Sequence, residues 1–148
     1  MKRKKSQAGT IVNRRAHFDY ALGDSIVVGI ALSGKEAKAL RQGNAHLRGS
    51  YVTVKDAELW LINATIASGK TFTIPESEQT RSRKLLAKHK EIETLIAAKQ
   101  QGNTIVPVQF ITNGQFVKLK IAIGKGKKRY DKRETIKKRE QARQVQNY

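Results

Sequence analysis

Ile105-Val-Pro-Val-Gln-Phe-Ile111 and Gln115-Phe-Val-Lys-Leu-Lys-Ile-Ala-Ile123 lie on either side of Asn113-Gly114. Two runs rich in β-branched residues around an Asn-Gly pair predict a β-hairpin closed by a type I′ turn, so the chain is read first as a β protein. Pro107 cannot donate to a ladder and predicts a free strand edge at that point. In the second run Val117, Leu119, Ile121 and Ile123 fall on one face, and Phe116, Lys118 and Lys120 on the other. That second face is basic with an aromatic at its start, the residue types that stack bases and neutralise a nucleic-acid backbone. The solvated outer face of any barrel strand would use the same lysines.

Upstream, the alternation repeats. Tyr51-Val-Thr-Val-Lys55, a turn at Asp56-Ala57 and Glu58-Leu-Trp-Leu-Ile-Asn63 predict a second hairpin, with Trp60 packed in the core. Residues 17–32 divide into two β-like runs around Gly23-Asp24, the second a nearly continuous apolar strand. The expected common core includes Val28, Ile30, Trp60, Ile62, Val108, Leu119 and Ile121. Two helices interrupt this pattern. Ser33 caps a short one over residues 34–42 that stops at Gly43, with Ala37 and Leu40 inward and Lys35, Lys38 and Arg41 along one face. A longer one is expected from about Ser82 to Gln101, ended by Gly102, with Leu85, Leu86, Ile92, Leu95 and Ile96 as its apolar face. Arg81, Arg83 and Lys84 would then crowd its first turn, where the helix dipole disfavours cations and a bound phosphate would repay them. Between the hairpin and this helix, residues 67–80 are a loop in which Thr71-Phe-Thr-Ile74 forms a short strand. The fold class is mainly β with flanking helices.

The chain has 148 residues and a formal charge of +18. The excess is +4 in residues 1–5, +7 in residues 6–123 and +7 in residues 124–148. It divides into a flexible basic arm (1–12), one β domain (13–123) and a basic tail (124–148). From Lys125 to Arg143 the tail has ten Lys/Arg against three acidic residues and too few apolar ones to order itself alone. Most of its residues are nevertheless competent helix formers, and Glu134 precedes Lys138 by four positions, so it is expected to be disordered in isolation and to fold against a polyanion. Gly124 and Gly126 read as a hinge. Such a charge attracts nucleic acid or an anionic membrane. Membrane fits poorly: no apolar run approaches a span, and no basic helix has a large aromatic face. Adjacent Arg14 and Arg15 beside Asn13 suit phosphate and sugar contacts, or an ordinary charged lead-in to a strand. Without Cys there are no disulfides, and with no secretory signal the cytoplasm is the expected compartment. His17, His46 and His89 lack metal-ligand spacing, Gly124-Lys-Gly126 lacks the phosphate-loop pattern, and no catalytic constellation or cofactor is expected.

Several stretches together resemble the SsrA-binding protein family, SmpB. They are Asn13-Arg-Arg-Ala16 with Asp19-Tyr20, Gly29-Ile-Ala-Leu-Ser-Gly-Lys-Glu-Ala-Lys-Ala-Leu-Arg-Gln-Gly43, Ser50-Tyr-Val52, Trp60-Leu-Ile-Asn63, Arg81-Ser-Arg-Lys-Leu-Leu86, Gly126-Lys-Lys-Arg-Tyr-Asp-Lys-Arg133 and Ile136-Lys137. The resemblance implies an OB-like Greek-key β-barrel followed by a basic tail. It implies a non-enzymatic adaptor of ribosome rescue, one protein per RNA, whose barrel grips the tRNA-like domain of transfer-messenger RNA. It also implies that the tail enters the empty decoding site and mRNA channel of a stalled small subunit. By motif match, and with neighbouring basic residues, RNA contact falls on Asn13, Arg14, Arg15, Glu36, Lys38, Arg41, Arg81, Arg83, Lys84, Leu86, Lys118 and Lys120. Ribosome contact falls on Lys127, Lys128, Arg129, Tyr130, Asp131, Lys132, Arg133, Ile136, Lys137, Lys138 and Arg139. The competing reading is a structural ribosomal protein with an OB-like body and a tail threaded through ribosomal RNA.

Overall fold

The computed structural model describes residues 11–126, together with 136, 137, 139 and 140, which are helical and exposed. In chain order the elements are β1 (Ile11–Val12), α1 (Arg14–Asp19), β2 (Tyr20–Ile30), α2 (Gly34–Arg41), β3 (Ala45–His46), β4 (Tyr51–Lys55), β5 (Glu58–Ile62), β6 (Thr65–Ile66), α3 (Glu76–Gln79), β7 (Arg83–Leu86), α4 (His89–Gln100), β8 (Thr104–Ile111) and β9 (Lys118–Gly126). Seven strands form one antiparallel sheet in the order β1-β8-β9-β2-β7-β5-β4, and β3 and β6 form a separate pair. β4 returns against β8, so the sheet curls on itself as an OB-like barrel does.

The alternation in β9 does what its sequence requires. Val117, Leu119 and Ile121 are buried while Phe116 and Lys118 are exposed and Lys120 is half-buried. Leu119 is fully buried, opposite Val28 on β2 and Phe110 on β8. Leu119→Ala is therefore expected to cost about 2–4 kcal/mol through the cavity it leaves, read as a lower urea midpoint. A change within about 0.5 kcal/mol, the surface range, would contradict this burial.

The connection between β8 and β9 differs from the sequence expectation. It is a wide loop over residues 112–117, and neither Asn113 nor Gly114 takes the positive φ that type I′ needs. The guanidinium of Arg41 donates from Nη2 to the carbonyls of Gln115 (2.6 Å) and Gly114 (3.5 Å) and holds the loop open from outside. The primed turn occurs instead between β4 and β5, where Asp56 and Ala57 have φ of 52° and 60°. Gly23-Asp24 is not a turn either. β2 runs through it as one 11-residue strand with a register shift between Leu22 and Ser25.

Four further expectations are corrected. On β5 the inward residues are Leu59 and Leu61, leaving Trp60 and Ile62 half-buried on the other face. Leu59-Trp-Leu-Ile62 is apolar throughout, and only Glu58, two residues before Trp60 on the same face, marks that face as the outer one. The expected helix from Ser82 begins only at His89, because residues 83–86 are strand β7 with Arg83 and Leu85 inward and Leu86 outward. Residues 71–74 form no strand. β9 also continues through Gly124 to Gly126, paired with Leu22 and Tyr20, so these glycines are strand residues rather than a hinge. A Cβ on Gly124 would lie 2.8 Å from Val106 Cγ2 and 3.1 Å from Tyr20 Cβ, so close packing is what demands glycine there.

Candidate nucleic-acid interface

Glu36 is the electrostatic centre of the barrel end formed by α2. It lies in the first turn of α2, where its side chain accepts from the Ser33 N–H (2.9 Å) while the Ser33 hydroxyl accepts from the Glu36 N–H (3.2 Å), a complete capping box. Its carboxylate is buried and faces two arginines. Arg81 makes a bidentate pair with both oxygens, and Arg83 Nε donates to Oε2 at 2.7 Å. Arg83 is fully buried, and its remaining N–H groups go to the carbonyls of Ala64 (2.9 Å), Arg81 (3.1 Å), Gln79 (3.0 Å) and Glu78 (3.3 Å). All five guanidinium donors are thus used inside the protein. Burial pushes the Glu36 carboxyl up, but the hydrogen bonds from Arg81, the Ser33 backbone and Arg83 outweigh it and hold the group below its ordinary value. Burial pulls the Arg83 pKa down, opposed by the Glu36 carboxylate.

Two of the RNA candidates in this cluster are buried. Arg83 and Glu36 are interior residues that tie α2 to β7, to the end of α3 and to residue 64. No phosphate site exists at a helix start formed by Arg81, Arg83 and Lys84, because no helix starts there. Arg81 and Lys84, with side chains 39% and 42% exposed, present a face to solvent, and Arg83 does not. Asn13 is likewise interior: its amide donates to the Pro107 carbonyl (2.8 Å) and its backbone N–H to Val108 (2.7 Å). It caps the edge of β8 that Pro107 leaves without a strand partner.

Apart from Arg14 and Arg15, the exposed RNA candidates fall on α2 and on the sheet that Arg41 reaches through the 112–117 loop. Lys35 reaches the Thr73 carbonyl (3.2 Å), Lys38 reaches Thr71 Oγ1 (3.2 Å) and lies 5.2 Å from the centroid of the Phe72 ring, and Arg41 holds the 112–117 loop. Each cation keeps further donors facing water. Beside them, Gly29 pairs with both Leu86 and Lys118, and Lys118 pairs with Ile111, so these residues form a row across four strands. Leu86 is 53% exposed; a Cβ on Gly29 would come within 3.2 Å of its Cβ. Among the described residues Lys118 and Lys120 have no acidic partner, whereas Lys84 pairs with Glu58 at 3.1 Å.

A second basic cluster combines Arg14 and Arg15 of α1 with His46 and Arg48, around an open cleft of about 640 Å³ also lined by Val12 and Leu47. Arg15 pairs with Asp19 (3.5 Å) and lies over the Phe18 ring. His46 and Arg48 were not among the sequence candidates, because only the long-range packing of β1 against β3 brings them to Arg14. Of the tail candidates, Ile136, Lys137 and Arg139 are helical and exposed. Lys127, Lys128, Arg129, Tyr130, Asp131, Lys132, Arg133 and Lys138 lie outside the described residues. Among the described residues no helix is long and apolar enough to cross a membrane, and no acidic or histidine cluster could hold a metal.

A curled antiparallel sheet whose exposed cations gather around one helix and an apolar–basic strand row defines a basic OB-like barrel protein. The comparisons sharpen that class. The sequence model of the family described as "SmpB protein" matches residues 10–148, and the chain belongs to the SmpB family. It is similar to the SsrA-binding protein of Jannaschia sp. (strain CCS1), at 49% identity over 89% of this chain and 85% of that one. It is also similar to the SsrA-binding protein of Trichormus variabilis, at 42% identity over 90% and 88% of the two chains. A solved structure described as "tmRNA-SmpB: a journey to the center of the bacterial ribosome" superposes with a TM-score of 0.69 at 33% identity, covering 87% of this chain and 95% of that one.

Proposed function

We propose that the protein is a non-enzymatic, cytoplasmic adaptor of trans-translation: its barrel binds the tRNA-like domain of transfer-messenger RNA and delivers it to stalled ribosomes. The observation that carries this reading is the family match, which runs from residue 10 through the barrel and on through the tail to residue 148. In the proposed complex the α2 cations, Arg81 and the Leu86–Gly29–Lys118 row face the RNA, with Lys120 beside them and Arg14 and Arg15 adding contacts from the second cluster. Glu36, Arg83 and Asn13 serve the same surface from within by holding its elements in place. The tail from Lys127 to Arg139 reads the vacant mRNA channel and decoding site. The direct test is to purify the tagged protein from its own cell and sequence the RNA that travels with it. One small RNA, with the protein sub-stoichiometric to ribosomes, is expected; co-sedimentation with every ribosome would indicate a structural ribosomal protein instead.

The geometry separates the lysines by salt dependence. Lys118→Ala should lower the slope of log binding constant against log salt by about one unit, as loss of one phosphate contact does. Lys84→Ala should lower it by less, because Glu58 already neutralises part of that charge. Titration with folded transfer-messenger RNA across a salt series reads both, and equal slopes for Lys118→Ala and the unaltered protein would remove Lys118 from the interface.

A further inference from the structure

Phe116 is 70% exposed, the most exposed large apolar side chain among the described residues. A bare phenyl ring in water has no polar handle to justify its position, and its surroundings here are cationic. Val117 turns into the core, leaving Phe116 and Lys118 exposed on either side of it. Arg41 lies against the same loop, donating to the carbonyls of Gln115, immediately before Phe116, and of Gly114. These two hydrogen bonds use one nitrogen of Arg41 and fix the loop backbone against the end of α2, at the point where a primed turn would otherwise have closed it. The loop is thus built to hold one aromatic ring outward beside two cations.

From this geometry we infer that Phe116 is a stacking platform for an unpaired or terminal base of the bound RNA, and that Arg41 acts as a positioning residue that presents it. An exposed ring flanked by cations is suited to nucleic acid because every base has a π-face while the neighbouring charges meet the backbone. An apolar protein partner would be served poorly by the same rim, in which Arg41, Lys118 and Lys120 would each be desolvated without a counter-charge. The inference rests on the function proposed above and adds a residue and a role to it.

The test uses the full chain and the tRNA-like domain of transfer-messenger RNA. Phe116→Ala should bind about tenfold more weakly with an unchanged salt slope, because stacking releases no counterions. Phe116→Trp should retain binding, and in a Trp60→Phe background its single indole should be quenched when RNA is added. Arg41→Ala should weaken binding and, unlike Phe116→Ala, lower the salt slope through the charge it removes; its loss should be smaller when Phe116 is already alanine, by the share that acts through the ring. Phe116 is exposed, so thermal unfolding of its variants should match that of the unaltered protein. Unaltered affinity in Phe116→Ala, or an indole at 116 indifferent to RNA, overturns the stacking role alone. Failure of the unaltered chain to bind the RNA overturns the function proposed above and this inference with it.

Discussion

Glu36→Gln is expected to destabilise the barrel by about 3–5 kcal/mol, the usual cost of leaving a buried charge without its partner. Arg83 is fully buried and its guanidinium is held by one carboxylate and four backbone carbonyls. Removing the carboxylate charge leaves the cation with dipoles only, and the same substitution weakens the bond to Arg81 and half of the α2 capping box. Urea unfolding by circular dichroism measures the loss. The pH dependence has a definite sign. The Glu36 carboxyl is held below its reference value of 4.5, so its contribution is complete above that pH and is lost as the pH falls through the lower folded value. The unaltered protein should therefore lose stability in acid more steeply than Glu36→Gln. RNA affinity at neutral pH should fall together with stability, because Arg81 and α2 lose their common anchor. A Glu36→Gln protein that is normally stable yet blind to RNA would make Glu36 a direct contact and refute the interior role.

The same cluster marks where sequence reasoning stopped. Ser33, Glu36 and Gly43 were legible as cap, first turn and stop because those signals are local, and β9 was legible because Lys118 and Lys120 alternate with Leu119 and Ile121. Arg83 was not. Arg81-Ser-Arg-Lys-Leu-Leu86 resembles a basic first turn when joined to the helical spacing that follows, and only a partner 47 residues away, Glu36, makes an inward arginine affordable. The available signal was period two, with Arg83 and Leu85 on one face and Lys84 and Leu86 on the other. The interior place of Asn13 was hidden for the same reason: its partner is the Pro107 carbonyl, 94 residues on. At Asn113-Gly114 the local turn preference did not prevail: the strands are joined by the wider 112–117 loop, whose carbonyls Arg41 binds. Trp60 was expected inward because Leu59 to Ile62 are all apolar, and the one outward marker on its face is Glu58 at the start of β5. The exposed cations were the easier part of the surface, since any residue type that resists burial announces itself. The interior polar residues that hold them in place depend on contacts no short window contains.

Truncation after Gly126 should abolish ribosome rescue while leaving the barrel folded and most specific RNA affinity intact. The cut belongs there because β9 pairs with β2 as far as Gly126 opposite Tyr20, and ending the chain at Gly124 would remove two cross-strand pairs along with the tail. The barrel retains every exposed RNA candidate around α2 and the Lys118 row, so its affinity should fall only by the non-specific, salt-sensitive share that the tail's charge supplies. Rescue has no such reserve under the proposed mechanism, because nothing else in the chain remains to occupy the vacant mRNA channel. A point variant separates loss of charge from loss of helix. Ile136 is helical and 41% exposed, so proline there leaves the net charge unchanged while costing the helix about 3 kcal/mol. Ile136→Pro should impair rescue and spare binding to the free RNA. Both variants are assayed side by side for binding to the tRNA-like domain and for tag addition on ribosomes stalled at the end of a truncated message. Tag addition by the truncated chain, or a parallel fall of both activities in Ile136→Pro, would show that gripping the RNA and reading the empty channel are not divided between barrel and tail.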